Sequence, residues 1–281
     1  TDRLSFVVAL GTLQDASAAA TCPPEGFRCL ADGTREPLDW SSDTGFGVTG
    51  TNQGLAVAWV APSASVQLAT FIVRLGTSAP FSLSDVHSVG VSTGARQPLD
   101  VVTGDFNGGA PDEIAVGFGS TCTGLACLRV RIFRWNDSKQ LVPVGAVNAP
   151  ADAPRISGNA NLTVSSVSLA SGRLTKAAGT NLDGDDLLVA VQSTSGTIGC
   201  PVLQACMARY AITYDIGGDF VPKAAATTPI ETGSEGLVAS RYSFVAAAAD
   251  FDGDGMDDPV IGRTTTQLLG TTESRAAFTV I

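Results

Sequence analysis

One phrase constrains this chain more than any other: Asp250-Phe251-Asp252-Gly253-Asp254-Gly255-Met256-Asp257-Asp258, followed by the apolar run Pro259-Val260-Ile261. Closing a turn on so many carboxylates is costly, because two unit charges about 4 Å apart repel by roughly 4 kcal/mol at an effective dielectric near 20. A cation removes that cost. Hard oxygen donors at alternate positions, with glycines allowing a sharp turn, describe a Ca²⁺ loop. In it Asp250, Asp252 and Asp254 supply carboxylates, Met256 a backbone carbonyl and Asp258 the closing carboxylate. The helix-loop-helix form of such a site needs a glutamate at its twelfth position and helical flanks, and neither is present.

The phrase recurs. Asp105-Phe106-Asn107-Gly108-Gly109-Ala110-Pro111-Asp112-Glu113 precedes Ile114-Ala115-Val116, with oxygen side chains at its first, third and ninth positions. Asn181-Leu182-Asp183-Gly184-Asp185-Asp186 precedes Leu187-Leu188-Val189 as a shorter copy. A fourth trace lies at Thr1-Asp2-Arg3-Leu4-Ser5-Phe6-Val7, which reads as the end of such a loop and its strand and makes the start look trimmed or processed. Glu113, Asp186 and Asp258 are spaced by roughly seventy residues, which suits a four-stranded antiparallel unit with generous loops.

These repeats resemble the FG-GAP or VCBS repeats of integrin-alpha-like β-propellers. The resemblance implies an all-β propeller, or part of one, of four-stranded blades, with each calcium loop just ahead of a blade's innermost strand. It implies calcium at Asp250, Asp252, Asp254, Met256 and Asp258, and at Asp105, Asn107, Gly109, Pro111 and Glu113. In the shorter copy it points to Asn181, Asp183 and Asp185, and it implies an extracellular setting. Phe106 and Phe251, at the second position of their loops, are expected to plug the core between blades.

Composition agrees with many short strands: glycine is abundant and charged residues are only 16% of the chain. The net charge of -10 argues against nucleic-acid phosphates or anionic lipid as partners. No apolar run approaches the length that spans a bilayer, so membrane insertion is not expected. Residues 1–281 are expected to form one propeller domain or segment of three to four blades, with an insertion in the first blade near 11–65.

The cysteines fall in three close pairs, Cys22 with Cys29, Cys122 with Cys127 and Cys200 with Cys206. Local disulfides pinning strand connections fit an oxidising compartment. The rival is zinc, disfavoured by unequal spacers and a single histidine, His87. Asn136-Asp137-Ser138 and Asn161-Leu162-Thr163 are glycosylation acceptor triplets.

Strands are expected at Ile114–Phe118, Leu128–Trp135, Leu141–Val144 and Leu174–Ala178, then at Leu187–Gln192, Met207–Tyr214, Phe220–Lys223 and Tyr242–Ala249. For catalysis the candidates are weak. Gly90-Val91-Ser92-Thr93-Gly94 matches a nucleophile elbow but has no histidine after it, and Asp257-Asp258 as a glycosidase pair is better explained by metal. The expectation is a non-enzymatic, secreted, calcium-stabilised propeller with a protein or glycan partner, acting in adhesion or extracellular assembly, self-assembly included. The alternatives are a lectin-like module, for which aromatic platforms are few, and an accessory domain of a secreted hydrolase.

Overall fold

The structure is a computed structural model. It describes residues 27–29, 35–37, 40–44, 52–61, 63–74, 81–92, 99–109, 112–122, 125–147, 162–175, 184–195, 207–217, 220–221, 223–233, 244–268 and 272–280. Every regular element among them is a β-strand.

A short hairpin pairs β1 (Phe27–Cys29) with β2 (Arg35–Pro37). Four antiparallel meanders follow. The first joins β3 (Trp40–Thr44), β4 (Asn52–Val60), β5 (Ser65–Arg74) and β6 (Phe81–Val91) in sequence order. The second joins β7 (Leu99–Gly104), β8 (Glu113–Cys122), β9 (Leu125–Trp135) and β10 (Leu141–Val147). The third joins β11 (Leu162–Gly172), β12 (Asp186–Ser195), β13 (Met207–Asp215) and β14 (Lys223–Gly233). The fourth has three described strands, β15 (Phe244–Ala249), β16 (Asp258–Leu268) and β17 (Thr272–Val280). Within the interval 11–65 lie the β1–β2 hairpin, β3, β4 and the first residue of β5.

Side-chain alternation explains why the sheets stack. On β9, Leu128, Val130 and Ile132 join Val167, Leu169, Leu187 and Val189 in a core between the second and third sheets. The opposite face puts Phe133 and Trp135, with Val116 and Phe118 of β8, against Val66, Leu68 and Val89 of the first sheet. Ala170, Leu188 and Ala190 meet Ala246 and Ile261 between the third and fourth. Because both faces of the middle sheets are covered, β8 and β12 are near-continuous apolar runs. The first strands pack in series, β3 on β7, β7 on β11 and β11 on β15.

Three expectations are corrected. The acidic loops are the connections between strands one and two within a sheet, since Gly104 pairs with Glu113 and Ala249 with Asp258. The strand after each loop is therefore the second strand, and the first strands are the ones that meet one another. Of the strand expected at Leu174–Ala178 only Leu174 and Thr175 are described, and both lie in the connection after β11, whose serines and small residues obscure its alternation; residues 176–178 lie outside the described residues. Phe220 turns with φ 54° before β14, which begins only at Lys223.

Candidate functional site

The acidic turn between β15 and β16 is built from its own amides. Gly253 and Gly255 adopt φ of +79° and +86°, the left-handed region that glycine enters without strain. These bends turn successive N–H groups inward. Gly253 N donates to Asp250 Oδ1 at 2.7 Å and Gly255 N to Asp250 Oδ2 at 3.1 Å. Asp254 N donates to Asp252 Oδ1 at 3.0 Å and Met256 N to Asp254 Oδ1 at 2.8 Å. Asp258, first residue of β16, accepts from Phe251 N at 3.0 Å.

The result is convergence. Carboxylate oxygens of Asp250, Asp252 and Asp254 lie within 4.8 Å of one another, and all three residues are solvent-exposed. This donor set is all hard oxygen, the class that suits Ca²⁺, and Asp252 and Asp254 engage only Oδ1 in the turn's hydrogen bonds.

The Asp105 turn has the same skeleton in a buried setting. Gly108 has φ +74°. Gly109 N donates to both Asp105 Oδ1 and Asn107 Oδ1 at 2.7 Å. Glu113, 1% exposed, accepts from Phe106 N at 3.1 Å and from Asn107 Nδ2 at 2.6 Å. Burial, then the charge of Asp105, raise the Glu113 carboxyl to about 7 despite the Phe106 amide. Burial likewise raises Asp112, with Asp105 and Asp185 adding to the effect.

In the third sheet, Asn181 and Asp183 lie outside the described residues, as does Pro111 in the second. Asp186 is 4% exposed and accepts from the N–H of Leu174 and Thr175 and from Thr175 Oγ1. Burial raises its carboxyl too. Asp185 points elsewhere: its Oδ2 accepts from Asp105 N at 3.1 Å while its own N–H donates to Asp105 O at 2.6 Å. Asp257 repeats this pair on Arg173, with Arg173 N to Asp257 Oδ2 and Asp257 N to Arg173 O, both 2.8 Å.

Sequence reasoning missed this clamp. In each acidic dipeptide the second residue caps its own turn, while Asp185 and Asp257 hold the end of the preceding sheet's first strand. The signal was the dipeptide itself, Asp185-Asp186 and Asp257-Asp258, paired with a glycine upstream. A Cβ on Gly104 would stand 3.0 Å from Asp185 Oδ2, and one on Gly172 would stand 2.6 Å from Asp257 Oδ2. A second tie repeats along the first strands: Asp100 Oδ2 accepts from Leu169 N at 2.8 Å, and Ser168 Oγ from Ala246 N at 3.0 Å.

The remaining candidates have structural surroundings. Ser92 is 1% exposed and its Oγ donates to Gly119 O at 3.2 Å, so the elbow-like motif ties the end of β6 to β8. Phe106 is fully buried, as expected of a core plug, whereas Phe251 is 66% exposed. The loop around Phe251 has no described sheet seated on it, and the expectation of a second plug is corrected. Cys127 is disulfide-bonded; Cys22, Cys200 and Cys206 lie outside the described residues. Asn136 caps the β9–β10 turn, its Oδ1 accepting from Gln140 N at 3.0 Å, and Asn161 lies outside the described residues. Among the described residues no helix is long and apolar enough to cross a membrane.

Fold and site together define an all-β protein of antiparallel meander sheets with acidic turns between their first and second strands. No family model matches the chain, and no curated protein does. Among solved structures it is similar to a point mutant of Aleuria aurantia lectin in complex with α-methyl-L-fucoside. The identity is 11% and the TM-score 0.37, over 86% of this chain and 77% of that one. So distant a likeness carries no argument about the site.

Proposed function

We propose that the chain is an extracellular β-propeller, or part of one, whose acidic turns bind structural Ca²⁺ and which serves adhesion or an extracellular assembly without catalysing a reaction. The meander sheets are its blades, and their first strands, packed in series, line the axis. The convergence of Asp250, Asp252 and Asp254 carries the reading. Ligation neutralises the three carboxylates and fixes the turn that leads into β16, so binding free energy becomes folding stability. The disulfide at Cys127, close to the β8–β9 hairpin, supports an oxidising compartment; we assign Cys122 as its partner.

Glycan binding is the alternative, and two of the aromatics offer it no platform. Trp135 is 6% exposed and donates Nε1–H to Thr70 Oγ1 at 3.0 Å, and Tyr214 is fully buried. Neither ring face is open for stacking on a sugar. Calorimetric titration of the chelator-treated protein with CaCl₂ tests the metal reading: saturable binding that Asp252→Ala abolishes, with a matching rise in Tm, is expected. An identical Tm with calcium and with excess chelator would overturn it. Calcium-dependent signals on a glycan array would move the assignment to a lectin.

A further inference from the structure

The face of the second sheet that is turned toward the first holds a feature that the calcium reading does not use. Arg129 and Arg131 stand two residues apart on β9, opposite Phe118 and Val116 of β8. Side chains at that spacing share a sheet face with their Cα atoms roughly 7 Å apart. It is the face that Phe133 and Phe118 turn toward the first sheet. Strand β6 lies against it. His87 meets Phe133 edge-on with ring centroids 5.2 Å apart, and Gly90 lies so close to Phe118 that a Cβ there would stand 2.8 Å from its ring. Both arginines are half-buried, as is His87.

Among the described residues nothing compensates these charges. Arg131 donates one N–H to Val130 O at 3.2 Å and Arg129 one to Thr121 O at 3.4 Å. A guanidinium carries five donors. Among the described residues no carboxylate pairs with either, and the His87 ring nitrogens have no hydrogen-bond partner. This holds in a chain with 27 acidic residues against 17 lysines and arginines. Burial, and then the like charge of Arg129, hold Arg131 below the usual arginine range, the direction expected for a cation lacking its counterion.

We propose that this face is an oxyanion-binding site in which Arg129 and Arg131 share one sulfate, phosphate or carboxylate group, with His87 as a third donor. Guanidinium forks present paired N–H groups that match two oxygens of such an anion, and half-burial of the two arginines strengthens the contact. The group arrives either as a free ion or as the acidic substituent of a larger ligand such as a sulfated saccharide; the chemistry recognised is the same. The site is independent of the Asp250 turn, which belongs to the fourth sheet.

The test is titration of sodium sulfate into the calcium-loaded protein, read on the arginine Nε–Hε NMR resonances, against sodium chloride at equal ionic strength. Saturable shifts of Arg129 and Arg131 with sulfate alone are expected. Arg131→Gln should weaken binding at least tenfold, and Arg134→Gln, on the other face of β9, should change it less than twofold. Arg131→Lys keeps the charge and an aliphatic stem but lacks the fork, and should lose several-fold while the protein stays folded. A sulfated oligosaccharide binding at least tenfold tighter than inorganic sulfate identifies the larger ligand; equal affinity identifies the free ion. Shifts that do not saturate, that chloride reproduces, or that survive in Arg131→Gln would overturn the proposal.

Discussion

Two turns of nearly the same sequence end in opposite surroundings. In the Asp105 turn, Phe106 is fully buried and Glu113 is 1% exposed; in the Asp250 turn, Phe251 is 66% exposed and Asp250, Asp252 and Asp254 all face solvent. The difference comes from what sits on them. Asp185 is hydrogen-bonded to both backbone groups of Asp105, and Gly184 packs against the Phe106 carbonyl. The buried turn has Asn107 and Gly109 where the exposed turn has its second and third carboxylates, and it satisfies Glu113 with internal N–H groups. The exposed turn keeps all three carboxylates. Where the next sheet covers the motif, hydrogen bonds and packing hold it, and where solvent covers it, that role falls to the proposed Ca²⁺.

The sharpest separation should come from the two phenylalanines. Phe106→Ala removes a fully buried ring from the core between the second and third sheets and should cost about 3–5 kcal/mol in urea unfolding. Phe251→Ala should stay within about 0.5 kcal/mol. Comparable losses at both positions would show that an unseen surface covers Phe251, and the contrast between the turns would fail.

Calcium should act on one turn more than on the other. At a free concentration 100 times Kd, a ligand stabilises its site by about 2.7 kcal/mol, which slows amide exchange roughly 100-fold where exchange requires opening of that site. The amides of Gly253, Asp254, Gly255 and Met256 should therefore lose about that protection on chelation. The Gly109 amide, already bonded to Asp105 and Asn107, should change little. Equal deprotection would put calcium in both turns.

Glycines in the two places should fail for different reasons. A Cβ on Gly184 would lie 2.8 Å from the Phe106 carbonyl oxygen and 2.9 Å from Gly108 N, both backbone atoms that cannot step aside. Gly184→Ala should cost about 1–3 kcal/mol and loosen the contact between the second and third sheets. A Cβ on Gly253 meets nothing within 4 Å, so Gly253→Ala suffers only from its positive φ, about 1 kcal/mol. Urea unfolding of the two variants measures the difference.

Sequence and structure part company where long-range contacts decide. The acidic turns were legible because their chemistry is local: alternating carboxylates and glycines specify a bend whatever surrounds it. Strands such as Leu128–Trp135 were legible because arginines alternate with core residues over the observed Leu125–Trp135. Strand β11 was not, since Val164, Val167, Leu169 and Ala170 are buried with Ser168 among them and two different sheets supply their neighbours. The inter-sheet clamp was hidden for the same reason. Asp185 and Asp105 are eighty residues apart, and an acidic dipeptide read by itself does not say which of its aspartates reaches a neighbouring sheet or which sheet it meets.

The smallest expected effect, a pH dependence of the calcium-free protein, belongs to the buried turn alone. Glu113 titrates near 7 in the folded chain, against an ordinary value of 4.5, chiefly because burial disfavours its charge. A carboxyl raised in the native state favours folding while it is protonated. Its contribution is therefore complete below about pH 4.5 and lost as pH rises through about 7. The value of about 7 already includes the Phe106 amide; the Asn107 amide also donates to the carboxylate and offsets much of the remaining cost, so the loss should be on the order of 1 kcal/mol, a fall of a few degrees in Tm between pH 5 and pH 8 in chelator. Glu113→Gln cannot ionise and should flatten that slope, whereas Asp252→Ala should leave it intact. If added calcium abolishes the slope in the wild type, the ion also binds beside Glu113, and burial has modified the second-sheet turn without freeing it from metal.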